Sequence, residues 1–281
     1  QMSAQLAYNK AAQYAQKALS LNNNAAEAHA ANGLVQAFMH YNYQEAQHNF
    51  TRALETADNL PFVYHTYAIF LRATGKIDEA LRSIEHALDI DPMNTLYNSE
   101  LAHGYYYARR FPEALEQHKY TLELDPSFLT SIENKGWTYF AMGEHKSAHQ
   151  VFETFQKLVS HEQKNVPQLA FMAAHMGLSK AANHFLELVQ IGSVSDRYIT
   201  TPMDIALIYL GLGKYDEVFF HLQRALEDKV GRALYIFSDP IWDPIRQDSR
   251  YDALLEEVNL APEYVLHQDS TSRNFDSSVD L

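Results

Sequence analysis

The chain has 281 residues, a formal net charge of −13 and no cysteine. The acidic balance argues against a nucleic-acid-binding surface, which needs an excess of Lys and Arg, and the missing thiols exclude disulfides, thiolate metal sites and a cysteine nucleophile. A hydrophobic content of 47% is enough to build a core, so disorder of the bulk chain is excluded, and no run of 18 apolar residues is present to span a membrane.

Taken in chain order, Ser3–Leu21 reads as a single helix with Ala11, Ala15, Ala18 and Leu19 on one face. A fixed period of 34 then takes over, carried by Ala46, Ala80, Ala114, Ala148 and Ala182. Four residues after these alanines stand Phe50, Ile84, Phe152 and Leu186, with His118 breaking the set. Five residues before them come Gly75, Gly143 and Gly177, with Arg109 where the glycine of the third unit belongs. Within one unit, Tyr64, Tyr67, Ala68 and Leu71 form a helical stripe and Gly75-Lys76 interrupts it. Ile77, Ala80, Leu81, Ile84, Ala87 and Leu88 form a second stripe, stopped by Asp91-Pro92. Two helices of about fourteen residues are marginal alone in water and persist only when stacked on neighbours. Small residues recur on the first helix at Ala68, Ala102, Gly136, Ala170 and Ala206, where close helix crossing is expected against the ladder alanine. Units are expected to begin near Ala26, Pro61, Thr95, Leu129, Gln163 and Ile199, the last displaced by an insertion at Gly192–Asp196.

These positions resemble the tetratricopeptide repeat family, with Met172-Ala173-Ala174-His175-Met176-Gly177-Leu178 and Tyr209-Leu210-Gly211-Leu212-Gly213-Lys214-Tyr215 as typical turn regions. The resemblance implies an all-α, right-handed superhelical solenoid of antiparallel helix pairs. The expected division is an N-terminal helix of a truncated repeat over 1–25, six units over 26–230, a capping segment over 231–261 and a flexible polar tail over 262–281. The cap rests on Trp242 and the Tyr251–Leu260 helix, which can cover the last exposed stripe. That closing segment resembles the end of repeat regions in bacterial multidomain signalling proteins that carry a nucleotide cyclase or a DNA-binding regulator domain. A first residue of Gln and not Met is read as a fragment or a processed product.

No phosphate-cradling glycine loop, Gly-x-Ser-x-Gly elbow or His-Glu-x-x-His helix occurs, so no catalytic residue and no cofactor is expected. His145 and His149 have a spacing able to hold a metal, but no further ligand converges on them and they are read as ordinary helix residues. The family resemblance implies that first helices line a concave groove. Carried over residue by residue, this nominates Ile69, Arg72, Glu100, His103, Tyr106, Tyr107, Glu133, Asn134, Trp137, Phe140 and Phe171 as partner-binding residues. Aromatic side chains bury large area at low entropy cost, and Glu100 and Glu133 would favour a basic or amide-rich segment. The same aromatics could equally pack between adjacent first helices. The chaperone-tail-binding branch of the family uses lysines, an arginine and asparagines on these faces, and only Arg72 and Asn134 offer anything similar. The expected function is a cytoplasmic, non-enzymatic scaffold for a protein or peptide ligand. The second reading is a homo-oligomerisation module for an upstream catalytic or DNA-binding domain, a homodimer paired through the N-terminal helix, and the third, a small-molecule-binding solenoid using His103 with Glu100 or Glu133.

Overall fold

A computed structural model describes residues 4–57, 59–159, 167–190 and 200–260. Among them there is no strand, and helices follow one another in antiparallel pairs. A leading helix, α1 (Ala4–Leu21), precedes α2 (Ala26–His40) with α3 (Tyr43–Glu55) and α4 (Pro61–Ala73) with α5 (Ile77–Ile90). Next come α6 (Thr95–Tyr107) with α7 (Phe111–Leu124) and α8 (Leu129–Ala141) with α9 (His145–Val159). The last pairs are α10 (Pro167–His175) with α11 (Ser179–Gln190) and α12 (Pro202–Gly211) with α13 (Tyr215–Glu227). Each of α2, α4, α6 and α8 touches both its own partner and a first helix of an adjacent pair, the contact pattern of a superhelical solenoid. Among the described residues no helix is long and apolar enough to cross a membrane. Gln163, Ile199, the insertion at 192–196 and the tail 262–281 lie outside the described residues.

Local chemistry explains the boundaries. Pro61 and Pro202 sit in the first turn of their helices, where the missing N–H is no loss. Thr201 and Asp204 close a reciprocal capping box at the start of α12, and Asn94 accepts two backbone N–H groups at the start of α6. The turn inside a pair repeats one hydrogen-bond motif: Gly75 N–H to Arg72 C=O and Lys76 N–H to Leu71 C=O, then the same pattern at Gly143, Gly177 and Gly213. This left-handed stop satisfies the last carbonyls of the first helix and needs positive φ, here 67–78° at the four glycines. Arg109 holds the same turn with φ 59° although it carries a Cβ.

All five ladder alanines are buried, and so are Phe50, Ile84, His118, Phe152 and Leu186 one helical turn later. At two crossings the nearest neighbour of a first-helix glycine is the aromatic ring of that second set. A Cβ built on Gly33 would sit 2.8 Å from Phe50, and one on Gly136 would sit 2.4 Å from Phe152. His118 fits the apolar ladder because its Nδ1 lies 2.7 Å from the Ser131 hydroxyl on α8, so the break in the pattern is a buried polar pair.

After α13 the chain leaves the repeat geometry. Two short 3₁₀ turns, Ala233–Phe237 and Pro240–Ile245, carry it across α4 and α8, and α14 (Ser249–Glu257) lies on α13. Residues 231–246 therefore form a strap across the first helices, while Tyr251, Leu254 and Leu255 are buried beneath α14. The far end of the array also meets its beginning. The Tyr41 hydroxyl donates to the Leu226 carbonyl at 2.9 Å, and the Lys229 ammonium stands 3.5 Å from the centre of the Tyr41 ring. Phe38 on α2 bridges Tyr8 on α1 and Tyr235 on the strap through ring contacts of 6.2 and 6.1 Å. One apolar cluster consequently runs from Ala26 to Leu260. Most solenoids join only neighbouring repeats; this one is tied across 185 residues.

Candidate functional site

A cavity of about 400 Å³ lies between the strap and the first helices of five successive pairs. Every described wall residue from the repeats belongs to a first helix: α4, α6, α8, α10 or α12. Of the residues nominated from sequence, Ile69, Arg72, Glu100, His103, Tyr106, Tyr107, Glu133, Asn134 and Trp137 are brought together here. Phe140 and Phe171 are not cavity residues. They form an aromatic cluster with their centroids 5.0 Å apart, joined by His145 and His175, and Trp137 links it to the cavity with its ring 5.5 Å from that of Phe171.

The nominated residues differ in what they leave free. Arg72 is 4% exposed, and its guanidinium bonds the Glu100 carboxylate at 2.6 Å. The same group lies 5.3 Å from the Tyr107 ring centre and 5.2 Å from that of Tyr235, a cation held between two aromatic faces. Burial alone would raise the Glu100 carboxyl, but Arg72, with His103 and His65, draws it down to about 2. His103 is lowered to about 3, first by burial and then by the neighbouring Arg72, so its imidazole is neutral near pH 7. Tyr106 and Tyr107 are 3% and 2% exposed beneath the strap, and the Tyr106 hydroxyl donates to Asp239 at 2.8 Å. Burial raises the Asp239 carboxyl, against the pull of the Ile241 N–H and Tyr106. Trp137, Glu133, Asn134 and His103 are partly exposed, as are Ile69 and Glu100, and belong to the accessible part of the inner face.

Sequence reasoning did not nominate Thr130, Met203, Asp204 or Leu207, nor the strap residues Arg232, Tyr235, Asp239 and Ile241, all of which line the cavity. Gln168 on α10 and Trp242, a residue of the expected cap, also line the cavity. Asp204 is hidden from pattern reading because it doubles as a helix-capping residue. The strap residues obey no repeat register; the available signal was the concentration of Tyr, Asp and Trp in an otherwise aperiodic stretch. His145 lies against Phe140 and His175, and His149 is 3.8 Å from Glu153, each away from the cavity. Among the described residues no group of three or more His, Asp or Glu is placed to hold a metal ion.

Comparison with known proteins agrees with this architecture. Residues 63–94 match the tetratricopeptide repeat family. No curated protein matches the chain in sequence. Among solved structures, PilW, a widely conserved type IV pilus biogenesis factor, aligns with a TM-score of 0.56 at 18% identity, over 68% of this chain and 88% of that one. A chain of the APC/C hetero-tetramer Cut9–Hcn1 aligns with a TM-score of 0.57 at 16% identity, over 89% of this chain and 46% of that one. The human IFIT1 dimer with PPP-AAAA aligns with a TM-score of 0.52 at 18% identity, over 76% of this chain and 56% of that one. The chain thus spans about half the length of these last two chains, and at these identities the likeness is one of fold. Residues 63–94 are a tetratricopeptide repeat, and the chain that surrounds them is an all-α solenoid of the tetratricopeptide-repeat type.

Proposed function

We propose that the chain is a non-enzymatic scaffold that takes a protein or peptide segment, basic or amide-rich, on its inner face beside the strap. Solenoids of this type generally serve protein–protein interaction, and their stacked first helices create extended concave surfaces. The observation that carries the reading is the cavity of about 400 Å³ in which helices from five successive pairs converge on Trp137, Glu133, Asn134 and His103. It has the size and the mixed apolar and polar lining of a binding site. Among the described wall residues, the carboxylates of Glu100, Glu133, Asp204 and Asp239 outnumber the guanidiniums of Arg72 and Arg232, which disfavours a polyanionic ligand. Placement in a larger bacterial signalling protein of the cytoplasm is the finer form of this reading, and it rests on the resemblance of the closing segment alone.

A library of displayed peptides selected against the whole chain tests the groove. Selected sequences should be rich in Lys, Arg, Asn or Gln and should lose affinity for a Trp137→Ala variant of unchanged melting temperature. Undiminished binding to that folded variant removes the groove from consideration.

A homodimer is the second reading, favoured by one observation: Leu6, Tyr14 and Leu21 of α1 are 47%, 71% and 82% exposed and fall within one sector of the helix. Light scattering that shows a monomer at high concentration would dismiss it.

A further inference from the structure

We propose that Glu133 on α8 and Asp204 on α12 form a binding site for a single guanidinium or alkylammonium group, and that in the free chain Arg232 of the strap holds that place. The inference deepens the groove reading above and rests on it.

The two carboxylates are built into the wall, whereas the cation lies on them from outside. Asp204 is 3% exposed on its side chain, Glu133 19% and Arg232 55%. One oxygen of Asp204 is fixed by the Thr201 N–H at 2.8 Å and the Thr201 hydroxyl at 2.7 Å, which leaves the other directed to Arg232 at 3.0 Å. Glu133 accepts a hydrogen bond from Gln168 Nε2 at 2.7 Å and stands 3.7 Å from the Arg232 guanidinium. Orientation of both carboxylates by neutral donors prepares them for a cation before one arrives.

A second observation points to a ligand. Gln168 is 1% exposed and lines the same cavity, yet its Oε1 has no hydrogen-bond partner. Buried amide oxygens are rarely left so. Arg232 serves the two carboxylates without reaching this third acceptor. A forked donor that enters from the cavity side can serve all three, while Trp137, one turn along α8 from Glu133, offers an aromatic wall. Charge favours the exchange as well. Arg72 and Glu100 neutralise each other, and among the described residues Arg232 is the cation set against Glu133 and Asp204. The cation can belong to a basic side chain of a bound segment or to a small free amine or guanidine.

Trp137 and Trp242 are the only tryptophans of the chain, and both line the cavity, so intrinsic fluorescence reads its occupancy. The whole chain, as wild type and as Arg232→Ala, is titrated with agmatine, with acetyl-Gly-Arg-Gly-amide and with the same peptide carrying citrulline. Removal of the resident cation should tighten the arginine peptide about tenfold, because the competent fraction rises. The citrulline peptide should give no response, and Glu133→Gln added to Arg232→Ala should abolish the gain. Arg232→Lys should bind as weakly as wild type, which separates the loss of a competing cation from a loosened strap; Arg232→Gln replaces the alanine variant if that one unfolds. Agmatine that matches the peptide identifies a free small cation as ligand; response to the peptide alone identifies a side chain. No response of Arg232→Ala or Arg232→Gln to either arginine probe, or an equal response to citrulline, overturns the site. Library peptides that still need Trp137 in that event leave the groove reading standing, so the two failures are distinct.

Discussion

Arg109 and Asp243 meet in a two-bond ion pair, with guanidinium nitrogens 2.6 and 2.8 Å from the two carboxylate oxygens. The pair explains an irregularity of the repeat. Arg109 occupies the left-handed turn that Gly75, Gly143, Gly177 and Gly213 fill in other units, with φ 59° and the strain that a Cβ brings there. Its side chain is what the position gains, since it fastens the strap to the third unit. Arg109→Gly should relieve about 1–2 kcal/mol of backbone strain while it loses a charge-assisted pair of similar worth. Global stability should stay within about 1 kcal/mol of wild type. Amide exchange over 233–245 should nevertheless quicken. Arg109→Ala keeps the strain without the pair and should lose about 2 kcal/mol. Exchange mass spectrometry with urea melts checks both, and an unchanged strap in Arg109→Gly would contradict the tether.

Glycine has two separate jobs in this array, and substitution should tell them apart. At Gly136 the space is taken: an added Cβ would lie 2.4 Å from Phe152. Gly136→Ala should therefore cost about 1–3 kcal/mol through overpacking, and Phe152→Leu should recover part of it. Gly143 has nothing within 4 Å but has φ +77°. Gly143→Ala should cost about 1 kcal/mol, unaffected by any change at Phe152, and Gly143→Asn should cost less. Thermal melts of Gly136→Ala and Gly143→Ala, each with and without Phe152→Leu, decide whether Phe152 discriminates between the two sites.

What could be read from the chain alone follows from this division of labour. Ala46, Ala80, Ala114, Ala148 and Ala182 recur because each fills the same helix crossing, so their period announces the pairs and their turns. Nine of the eleven nominated groove residues converge on one cavity because register fixes which side of a first helix faces inward. The strap could not be read this way. Its contacts, Tyr235 on Arg72, Asp239 on Tyr106 and Asp243 on Arg109, join residues more than 130 apart and leave no local pattern. The trace they do leave is negative: Tyr41 and Arg109 stand at left-handed turn positions, and both reach the C-terminal part of the chain.

The His118–Ser131 pair should make the fold acid-sensitive. His118 is 0% exposed, and burial, helped by Lys135, lowers its imidazole to about 3. Unfolded histidine titrates near 6.5, so between these values the unfolded state binds the additional proton. Stability should fall as pH drops through that window, by about 1.4 kcal/mol per pH unit for each such histidine. His103 acts in the same direction. His118→Leu alone strands the Ser131 hydroxyl and should cost about 1–3 kcal/mol. His118→Leu with Ser131→Ala should return to within about 1 kcal/mol of wild type at pH 7 and flatten the acid slope by one proton. Urea midpoints at pH 7.5, 6.5 and 5.5 give the slopes, and an equal slope in the double variant would exclude His118 as its source.

Arg72 and Glu100 provide the sharpest separation of charge from packing. Their side chains are 5% and 13% exposed, so loss of either partner leaves a charge in a nearly dry site. Arg72→Met should cost about 3–5 kcal/mol, and Arg72→Met with Glu100→Met should recover most of it, as expected when an uncompensated carboxylate and not a missing attraction is the damage. The pH profiles should also diverge in sign. In wild type the Glu100 carboxyl is lowered to about 2, so its contribution is present above the unfolded value of about 4.5 and is lost as pH falls towards 2. Without Arg72, burial prevails and raises the carboxyl above its unfolded value. The variant should then gain stability relative to wild type on acidification, because protonation removes the buried charge. Parallel stability curves from pH 7 to 4 would show that Glu100 rehydrates when Arg72 is lost, and that the strap and the inner face yield to let water in.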